Sequence, residues 1–600
     1  MNDNRRFFVK TFFLLIGVVY LSKLFIIQVL DDNYATAAER YSVKRFVEYP
    51  YRGLIYDRNG KLIVYNKPVF DIQVVPKDVY IPDTAKFCRL LEITPEELKV
   101  KLDTARNYSR FKPSIFLKQI PIEHLAQIQD HLIDYRGFTI TPRTIRSYPY
   151  KTMANVLGYI AEISNPEMKK DQEKYYRMGD YIGKSGIEYT YEKDLRGKRG
   201  VKHVMVNRFG VEKGSYKNGQ YDTISIPGKN LISTIDIDLQ NYIEKLLEGK
   251  TGGVVAIEPK TGEILALVTA PGYDPNLLAG RDFSKNFGKL QRDSLSPLFT
   301  RPLMAMYAPG SMFKSVQALI ALQEGVIKAD ERILCEGGLI GDHAPPGYYD
   351  VIKSIQLSSN NYYYKVFKRV LNQEFSKNTF VDTRIGYEKW RDYLISFGLG
   401  APLAIDIPNS TGGLIPTPSY YDRVYGRDRW KFSTIYSLSI GQGELLITPI
   451  QMANLTAIIA NRGYYYTPHI IKSIGEDGLA AEKYREKHVV PIDSKHYQSV
   501  IDGMEAVIQA GTGQYRAKLK NIEVCGKTST VENPHGEDHS GFIAFAPKDN
   551  PQIAIAAYVE NAGQGARAAA AIASLAIEKY LLGKTERPNI EEYVLRGQFK

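Results

Sequence analysis

The sequence predicts an α/β or α+β layer fold for the region that begins at residue 231 and ends near residue 585. Five runs of strand-forming residues support it, two near the start of this region and three near its end: 253–257, 263–268, 524–531, 541–546 and 553–559. The sequence between the two groups is mostly helical in pattern. Strands from both ends of a domain, with helices between them, build one sheet that helices cover.

Short connections and helices complete this region. A helix is expected from residue 237 to about residue 248, and the turn at 259–262 joins the first two strands as a hairpin. A last helix, at 566–582, closes the region.

The helix predicted from Ser311 to about Gln323 is apolar on nearly every side, which is typical of a helix buried in a large domain. Its first turn nevertheless carries the hydroxyl of Ser311 and the amine of Lys314 on one face. A serine needs a neighbouring base to act as a nucleophile, and burial can make lysine that base by lowering its pKa. The free N–H groups of the first turn would then face the oxyanion. The alternative is a capping serine followed by a lysine that reaches water.

Ser358, Ser359 and Asn360 lie between two helical runs. Serine and asparagine at such a position are favoured as helix caps. In the functional interpretation they supply a second hydroxyl, which relays a proton, and an amide that binds a substrate carbonyl.

Lys527 lies on the predicted strand at 524–531. A lysine is costly on an inner strand unless it is paired or placed in a cleft, and on an edge strand it guards against aggregation. Thr528 and Thr530 share one face by strand alternation, so both hydroxyls could contact one carboxylate.

The N-terminal segment predicts a membrane anchor. Residues 7–30 are nearly all apolar and long enough to span a bilayer, with Lys10 and Lys23 near the ends. The basic residues before it predict a cytoplasmic N terminus and an extracytoplasmic bulk. A cleaved signal peptide is the alternative, because residues 35–37 form an A-x-A pattern.

Residues 31–230 predict a spacer. A strand, an Asn-Gly turn and a second strand are expected over 52–62, and residues 83–134 are expected to be helical, with Glu96 and Glu97 opening one helix. The stretch supplies no nucleophile with a base. We therefore expect an elongated support for the later region.

The composition of the chain limits the kinds of partner that we expect. The net charge of +12 would suit nucleic acid or an anionic membrane. The chain has no zinc-finger, basic-zipper or RNP-type signature and no dense basic block, so we expect no nucleic-acid partner. Its three cysteines, Cys88, Cys335 and Cys525, do not predict a disulfide framework.

Three motifs follow the anchor in order: Ser-x-x-Lys at 311–314, Ser-x-Asn at 358–360 and Lys-Thr-Ser at 527–529. With this set the chain resembles the penicillin-recognising serine acyltransferases. Further segments resemble the class B penicillin-binding proteins, including their pedestal module: 52–60, 439–443, 448–453, 511–513 and 539–547. The resemblance covers nearly the whole chain and favours the branch that acts in cell elongation.

The resemblance implies an antiparallel sheet flanked by helices, preceded by a mixed α+β pedestal and one transmembrane helix. It implies a cytoplasmic tip and anchor at 1–30, a pedestal or dimerisation-like domain at 31–230, the transpeptidase domain at 231–585 and a tail at 586–600. The protein would cross the cytoplasmic membrane once and keep its bulk in the periplasm. It would cross-link peptidoglycan stem peptides through a serine acyl-enzyme, and β-lactam antibiotics would inhibit it.

The resemblance also implies the residue roles. Ser311 would be the nucleophile and Lys314 its base, while Ser358 and Lys527 would relay a proton to the leaving group. Substrate binding would involve Asn360, Thr528, Ser529 and Thr530, and the backbone N–H groups of Ser311 and Thr530 would form the oxyanion hole. The implied partners are a RodA-type polytopic glycosyltransferase and other elongation-complex proteins. No cofactor or metal is expected.

Two features depart from the family pattern. Ser529 stands where the family usually has glycine, and its side chain could crowd the substrate pocket. Of the family residues that can bind zinc, Cys335 and His343 remain, flanked by Asp342 and Asp350, and two such ligands do not complete a site. Two other functions stay open: a catalytically weak scaffold of the elongation machinery and a β-lactamase-like hydrolase.

Overall fold

The computed structural model describes residues 3–30, 42–206, 212–337, 340–476, 478–479, 481–533, 536–597 and 599. Two compact units make up the chain. The first contains Met1–Gly53 and Arg196–Lys229, and the second contains Leu54–Leu195 and Asn230–Lys600.

The described elements up to residue 230 are short and mixed. The strands are β1 (Val43–Glu48), β2 (Ile55–Tyr56), β3 (Leu62–Val74), β4 (Ser114–Ile120), β5 (Phe138–Ser147), β6 (Ile160–Glu162), β7 (Tyr181–Gly183), β8 (Gly200–Val206) and β9 (Glu212–Ser215). The α-helices are α1 (Asp3–Phe25), α2 (Thr84–Leu91), α3 (Pro95–Tyr108), α4 (Ile122–Leu132), α5 (Ala154–Leu157), α6 (Asn165–Lys170), α7 (Gly186–Thr190) and α8 (Glu192–Leu195).

Longer helices dominate the described residues after 230. The strands there are β10 (Leu231–Ser233), β11 (Gly252–Ile257), β12 (Ile264–Ala270), β13 (Ile333–Cys335), β14 (Gly347–Tyr349), β15 (Tyr464–Tyr466), β16 (Ile471–Ile474), β17 (Gly478–Leu479), β18 (Lys487–Val489), β19 (Cys525–Val531), β20 (His539–Ala546) and β21 (Ile553–Val559). The α-helices are α9 (Ile237–Leu246), α10 (Phe283–Arg292), α11 (Arg301–Met304), α12 (Lys314–Gln323), α13 (Val351–Leu357), α14 (Asn360–Leu371), α15 (Thr379–Ser396), α16 (Pro418–Tyr425), α17 (Phe432–Ile435), α18 (Pro449–Ala460), α19 (Tyr497–Ala510), α20 (Gln514–Ala517), α21 (Ala569–Leu582) and α22 (Pro588–Arg596).

The first unit combines α1 with a three-stranded sheet in the order β1-β8-β9. The segment Asn4–Gln28 has a mean hydropathy of 1.9 over its apolar window and is long enough to cross a membrane. A helix long and apolar enough for the predicted anchor is therefore present. Residues 31–41, which include the A-x-A pattern, lie outside the described residues.

The second unit begins with a mixed sheet in the order β17-β16-β10-β2-β3-β4, with β5 also paired to β3. The predicted strand, Asn-Gly turn and strand correspond to β2 and β3 and are confirmed. The expectation of helix throughout 83–134 was wrong at β4, which pairs with β3. Phe116 of β4 packs its ring 5.1 Å from that of Phe138 and 6.3 Å from that of Phe87, so aromatic burial outweighs local helical pattern there.

The second sheet has the order β12-β11-β21-β20-β19, and every neighbouring pair is antiparallel. The five predicted strands are confirmed, and α9 and α21 match the two helices predicted at the ends of the region. Helices α18 and α19 and the 3-10 turn Gly310–Phe313 also pack against this sheet, so helical segments cover it. β19 is its edge strand, beside the helix that carries Ser311.

Candidate active site

Ser311 lies in a 3-10 turn, Gly310–Phe313, which leads directly into α12. We call residues 307–311 the nucleophile turn, after the role that the sequence predicts for Ser311. Tyr307 pairs by backbone hydrogen bonds with Ile447, and the Gly310 N–H donates to the carbonyl of Gly441 at 2.8 Å. Because Phe313 and the residues of α12 up to Leu322 are buried, the turn is set rigidly on the core while Ser311 stays partly exposed.

Two buried amines meet at one hydroxyl. Lys314 Nζ donates to Ser358 O at 2.6 Å, to Ser358 Oγ at 3.2 Å and to Asn360 Oδ1 at 2.6 Å. Lys527 Nζ donates to the same Ser358 Oγ at 2.8 Å. Both lysines have no exposed surface. Residues from three distant parts of the sequence thus form one hydrogen-bonded chain, from Lys314 through Ser358 to Lys527.

The backbone around Ser358 explains how this chain is held. Ser358 ends α13 in the left-handed region, with φ of 59°, and Ser359 then caps α14 by accepting from Tyr362 N. Asn360 Nδ2 donates to the carbonyl of Gly341 at 2.5 Å, which turns its Oδ1 toward Lys314. The sharp break between the two helices therefore aims both Ser358 and Asn360 at the amine.

Burial changes the charge of the two amines. It lowers the pKa of Lys314 to about 7, an effect that the charge of Asp342 partly opposes. It lowers the pKa of Lys527 well below its usual value, and the like charge of Lys314 lowers that pKa further. A neutral lysine base is therefore accessible near neutral pH.

The Ser311 hydroxyl makes no hydrogen bond to another described residue, although both amines lie in the same buried cluster. A catalytic hydrogen bond is often absent before substrate binds. Ser311 is partly exposed, whereas both amines are fully buried.

Strand alternation divides the third motif between two faces of β19. Thr528 Oγ1 lies 2.6 Å from Thr512 Oγ1, and Thr530 Oγ1 accepts from Gly565 N at 3.1 Å. Lys527 and Ser529 belong to the opposite face. Both threonines lie on the confirmed strand β19, where alternation gives them one face, and Thr530 is the exposed one.

Ser529, where the family usually has glycine, is buried below the nucleophile turn. Its hydroxyl donates to the carbonyl of Pro309 at 2.9 Å. Gly310 has φ of 53°, and a Cβ there would lie 2.3 Å from Ser529 Oγ. The extra atoms of Ser529 therefore occupy space beneath Gly310 and connect β19 to the turn that presents Ser311.

Sequence reasoning missed the supporting role of Asp342. Its Oδ2 accepts from Ser359 Oγ at 2.8 Å and from Asn361 N at 2.8 Å, while its Oδ1 accepts from Ala344 N. These bonds hold the loop with Gly341 against the start of α14, and they lower the pKa of Asp342. No local sequence pattern around Asp342 predicts these hydrogen bonds, because they form only when the loop packs against the start of α14.

The neighbouring Cys335 is buried, and its thiol donates to the carbonyl of Ile333 at 3.5 Å. Burial raises the pKa of this thiol. Within the described ranges, which omit residues 338–339, no three His, Cys, Asp or Glu side chains gather as they would around a metal ion.

A cavity of about 390 Å³ opens beside the nucleophile turn. Its described lining comes from the turn, from the segment after Gly441 and from the end of β19: Ala308, Gln442, Gly443, Val531, Glu532, Asn533 and Asp538.

Family models match both large parts of the sequence. The penicillin binding protein transpeptidase domain matches residues 252–578, and the penicillin-binding protein dimerisation domain matches residues 47–233. The chain belongs to the penicillin-binding protein transpeptidase family. Both motif lysines and the motif serines lie within the first match.

Relatives of this penicillin-binding protein match nearly its whole length. The peptidoglycan D,D-transpeptidase MrdA of Haemophilus influenzae is 29% identical over 97% of this chain and 91% of its own. The structure of penicillin-binding protein PBP2 of Helicobacter pylori in complex with MreC is 25% identical, with a TM-score of 0.72 over 90% of this chain and 99% of its own. The structure of Pseudomonas aeruginosa PBP2 in complex with WCK 5153 is 26% identical, with a TM-score of 0.64 over 91% of this chain and 99% of its own.

These similarities confirm the predicted class B penicillin-binding protein and its transpeptidase fold. The residue roles and the domain boundaries stay predictions.

Proposed function

We propose that this protein is the peptidoglycan D,D-transpeptidase of cell elongation, and that Ser311 is its nucleophile. The observation that carries the proposal is the meeting of two fully buried amines at Ser358, with Lys314 three residues after the partly exposed Ser311. The full-length similarity to a D,D-transpeptidase supports the reaction class. Neither buried lysine has a salt bridge to a described carboxylate, and burying such a group is costly, which favours a catalytic reason for the two amines.

In the acylation step, Ser311 Oγ attacks the carbonyl of the penultimate D-Ala in a stem peptide that ends in D-Ala-D-Ala. Lys314, in its neutral form, takes the hydroxyl proton. The N–H groups of Ser311 and Thr530 stabilise the oxyanion, each by about 3 kcal/mol. Ser358 passes a proton between the two amines and on to the nitrogen of the departing D-Ala, so the C–N bond breaks as the ester forms.

Substrate binding uses the edge of the second sheet. A peptide lying along β19 would gain backbone hydrogen bonds, because β20 occupies the other side of that strand. Thr528 and Thr530 hold the terminal carboxylate, Ser529 supports the turn and Asn360 holds the acyl-side amide. An amine from a second stem peptide then attacks the ester and releases Ser311.

The N-terminal helix anchors the protein once in the cytoplasmic membrane, with the N terminus inside and the catalytic part in the periplasm. The basic residues before the apolar segment support this orientation. We propose that a RodA-type glycosyltransferase contacts the anchor and the pedestal, and the reported complex of a relative with MreC supports other elongation-complex partners.

A covalent labelling experiment tests the nucleophile. The full chain in detergent is treated with penicillin and measured by intact-protein mass spectrometry. One adduct is expected on the wild type and none on Ser311→Ala. Ser315→Ala is a matched control, because Ser315 is buried on the same helix and its hydroxyl has no described hydrogen-bond partner. An adduct on Ser311→Ala would reject the assignment.

The same sample separates the two alternatives. A β-lactamase-like hydrolase would turn over nitrocefin continuously, whereas a transpeptidase gives a burst close to one equivalent. A catalytically weak scaffold would give no adduct on any variant.

A further inference from the structure

The positive charge of the chain is concentrated in the sheet part of the first unit. Residues 42–53 and 196–229 carry eleven Lys and Arg against three Asp and Glu, which is +8 of the total of +12. Neither segment is a dense basic block by itself. The fold joins them, because β1 comes from one segment and β8 and β9 from the other.

One face of this small sheet mixes cations with apolar side chains. Phe46 of β1 lies opposite Lys202 of β8, and Lys44 lies opposite Val204. Strand alternation places these four on the same face. Lys202 pairs with Glu48, while Phe46 and Lys44 are exposed.

The segment after β9 adds exposed apolar groups. Thr223 and Ile226 bridge to Val201 and Lys198, so residues 223–226 extend the edge of β8. Ile224 leaves 86% of its surface exposed and Ile226 leaves 54%. Two aliphatic side chains this exposed are unfavourable in water.

Tyrosines accompany these residues. The ring centroids of Tyr216 and Tyr221 lie 5.7 Å apart, and Lys217 Nζ lies 5.0 Å from the first and 5.5 Å from the second. Tyrosine next to lysine is typical of the membrane–water interface, where the ring contacts acyl chains and the polar ends reach headgroups.

The chain keeps this surface close to the anchor. The helical segment that starts in α1 ends at Leu30, and β1 begins at Val43, so twelve residues connect them. Twelve residues span at most about 40 Å. The sheet is therefore never far from the membrane that holds α1.

We propose that the sheet β1-β8-β9 and the segment 216–226 bind the surface of the bilayer that holds α1, with lysines on the phosphates of anionic phospholipids and Ile224 and Ile226 in the interface. Anionic lipid attracts basic surfaces next to a membrane. An acidic wall polymer would use the cations but would leave the two isoleucines in water. The proposal depends on the anchor and not on the chemistry of Ser311.

A fluorescent probe tests whether this surface binds the bilayer. The chain has two tryptophans, Trp390 and Trp430, and each is 1% exposed, so the variant Ile224→Trp places one accessible indole on the surface. Full-length protein is reconstituted in vesicles with brominated acyl chains, either pure phosphatidylcholine or with 30% phosphatidylglycerol (about one lipid in three, a strongly anionic surface). We expect quenching at least about three-fold stronger with phosphatidylglycerol, and reversed by high salt.

Charge variants provide the control. Changing Lys44, Lys198, Lys202 and Lys213 to glutamine should remove the difference between the two vesicles. The same number of changes at the exposed Lys86, Lys99, Lys169 and Lys170, which lie in the second unit, should leave it intact. The Ser311→Ala protein should behave like the wild type. Absent quenching, equal quenching in both vesicles, or quenching that requires an added membrane protein would overturn the proposal.

Discussion

Two lysines with no exposed surface define the chemistry of this protein at the scale of single residues. Lys314 and Lys527 have no salt bridge to a described carboxylate. Hydroxyl, amide and carbonyl oxygens accept their hydrogen bonds instead. Neutral acceptors stabilise an ammonium less than a carboxylate would, so burial dominates and lowers both pKa values. Exposed lysines would stay charged at neutral pH and could not accept a proton from serine.

The lowered pKa of Lys314 predicts how acylation depends on pH. The neutral base is the form above its pKa of about 7, so the rate of penicillin acylation should rise from pH 5.5 to pH 8, with a midpoint near 7. The charges that face Lys314 are Asp342, which raises its pKa, and Lys527, a like charge. Stopped-flow labelling at a series of pH values measures the midpoint.

Asp342→Asn is the matched variant for this experiment. It keeps an oxygen acceptor for Ser359 and Asn361 but removes the charge that favours the ammonium. The midpoint should move to lower pH. A midpoint that stays fixed or moves upward would contradict the role of Lys314 as the base.

At the scale of elements, the nucleophile turn depends on β19 as much as on α12. Ser529 of the strand donates to Pro309, and Gly310 passes directly above the Ser529 hydroxyl. Tyr558 of β21 donates its hydroxyl to the carbonyl of Ala308. The sheet therefore holds the turn from below, and Gly441 holds it from the side.

Substitutions at the contact between the nucleophile turn and β19 should lower the acylation rate by different amounts. Ser529→Ala removes one hydrogen bond and should lower the acylation rate by about 2- to 10-fold, in line with about 0.5–1.5 kcal/mol for such a bond. Gly310→Ala should be more severe, because it adds a clash at 2.3 Å and a strained positive φ. Acylation rates of the purified variants measure both.

The double variant Gly310→Ala with Ser529→Gly should recover part of the rate, since it removes the clash and leaves the strain. Gly280→Ala is the control, because a Cβ there meets nothing within 4 Å. Equal rates for Gly310→Ala and Gly280→Ala would show that the close approach does not matter.

At the scale of the second unit, polar side chains join residues 54–195 to the transpeptidase region. Asn276 exchanges two hydrogen bonds with the backbone of Tyr148, at 3.1 and 2.9 Å. The Tyr191 hydroxyl donates to Asp406 at 2.9 Å, and Met153 N donates to Glu244 at 2.8 Å. Because each bond joins residues far apart in sequence, the two parts are expected to unfold together.

Glu244 predicts how this junction responds to pH. Burial raises the pKa of the Glu244 carboxyl above its unfolded value, which is near 4.5. Its stabilising contribution is therefore fully present below the unfolded pKa, where the carboxyl is protonated, and is lost as the pH rises through the folded pKa. At neutral pH the native state therefore bears the free-energy cost of keeping a charged carboxylate buried. Glu244→Gln keeps an acceptor for Met153 and should raise the free energy of unfolding at pH 7.5, with no gain near pH 4.

Thermal unfolding midpoints at the two pH values measure this effect. Glu248→Gln is the control, because Glu248 is exposed just beyond the same helix and should show no pH-dependent gain. Destabilisation by Glu244→Gln at pH 7.5 would mean that the charge itself supports the junction.

Local patterns predicted much of the fold. Runs of strand-forming residues identified the five strands of the second sheet, and the all-apolar run identified the buried helix after Ser311. Local pattern failed at β4, where burial of Phe116 against Phe87 and Phe138 decides the strand. It also could not order the strands, because pairing β11 with β21 joins residues that lie about half the chain apart.

The sequence by itself determined which groups the site contains: the hydroxyls of Ser311 and Ser358, the amines of Lys314 and Lys527, and the amide of Asn360. Only the tertiary structure decided that both amines donate to Ser358, that Asp342 supports Asn360 and that Ser529 fills the space beneath Gly310. The physical reason is that residue type and spacing set local geometry and polarity, whereas burial and contacts between distant segments exist only after the chain has packed. The pKa values on which the proposed reaction depends arise from that packing.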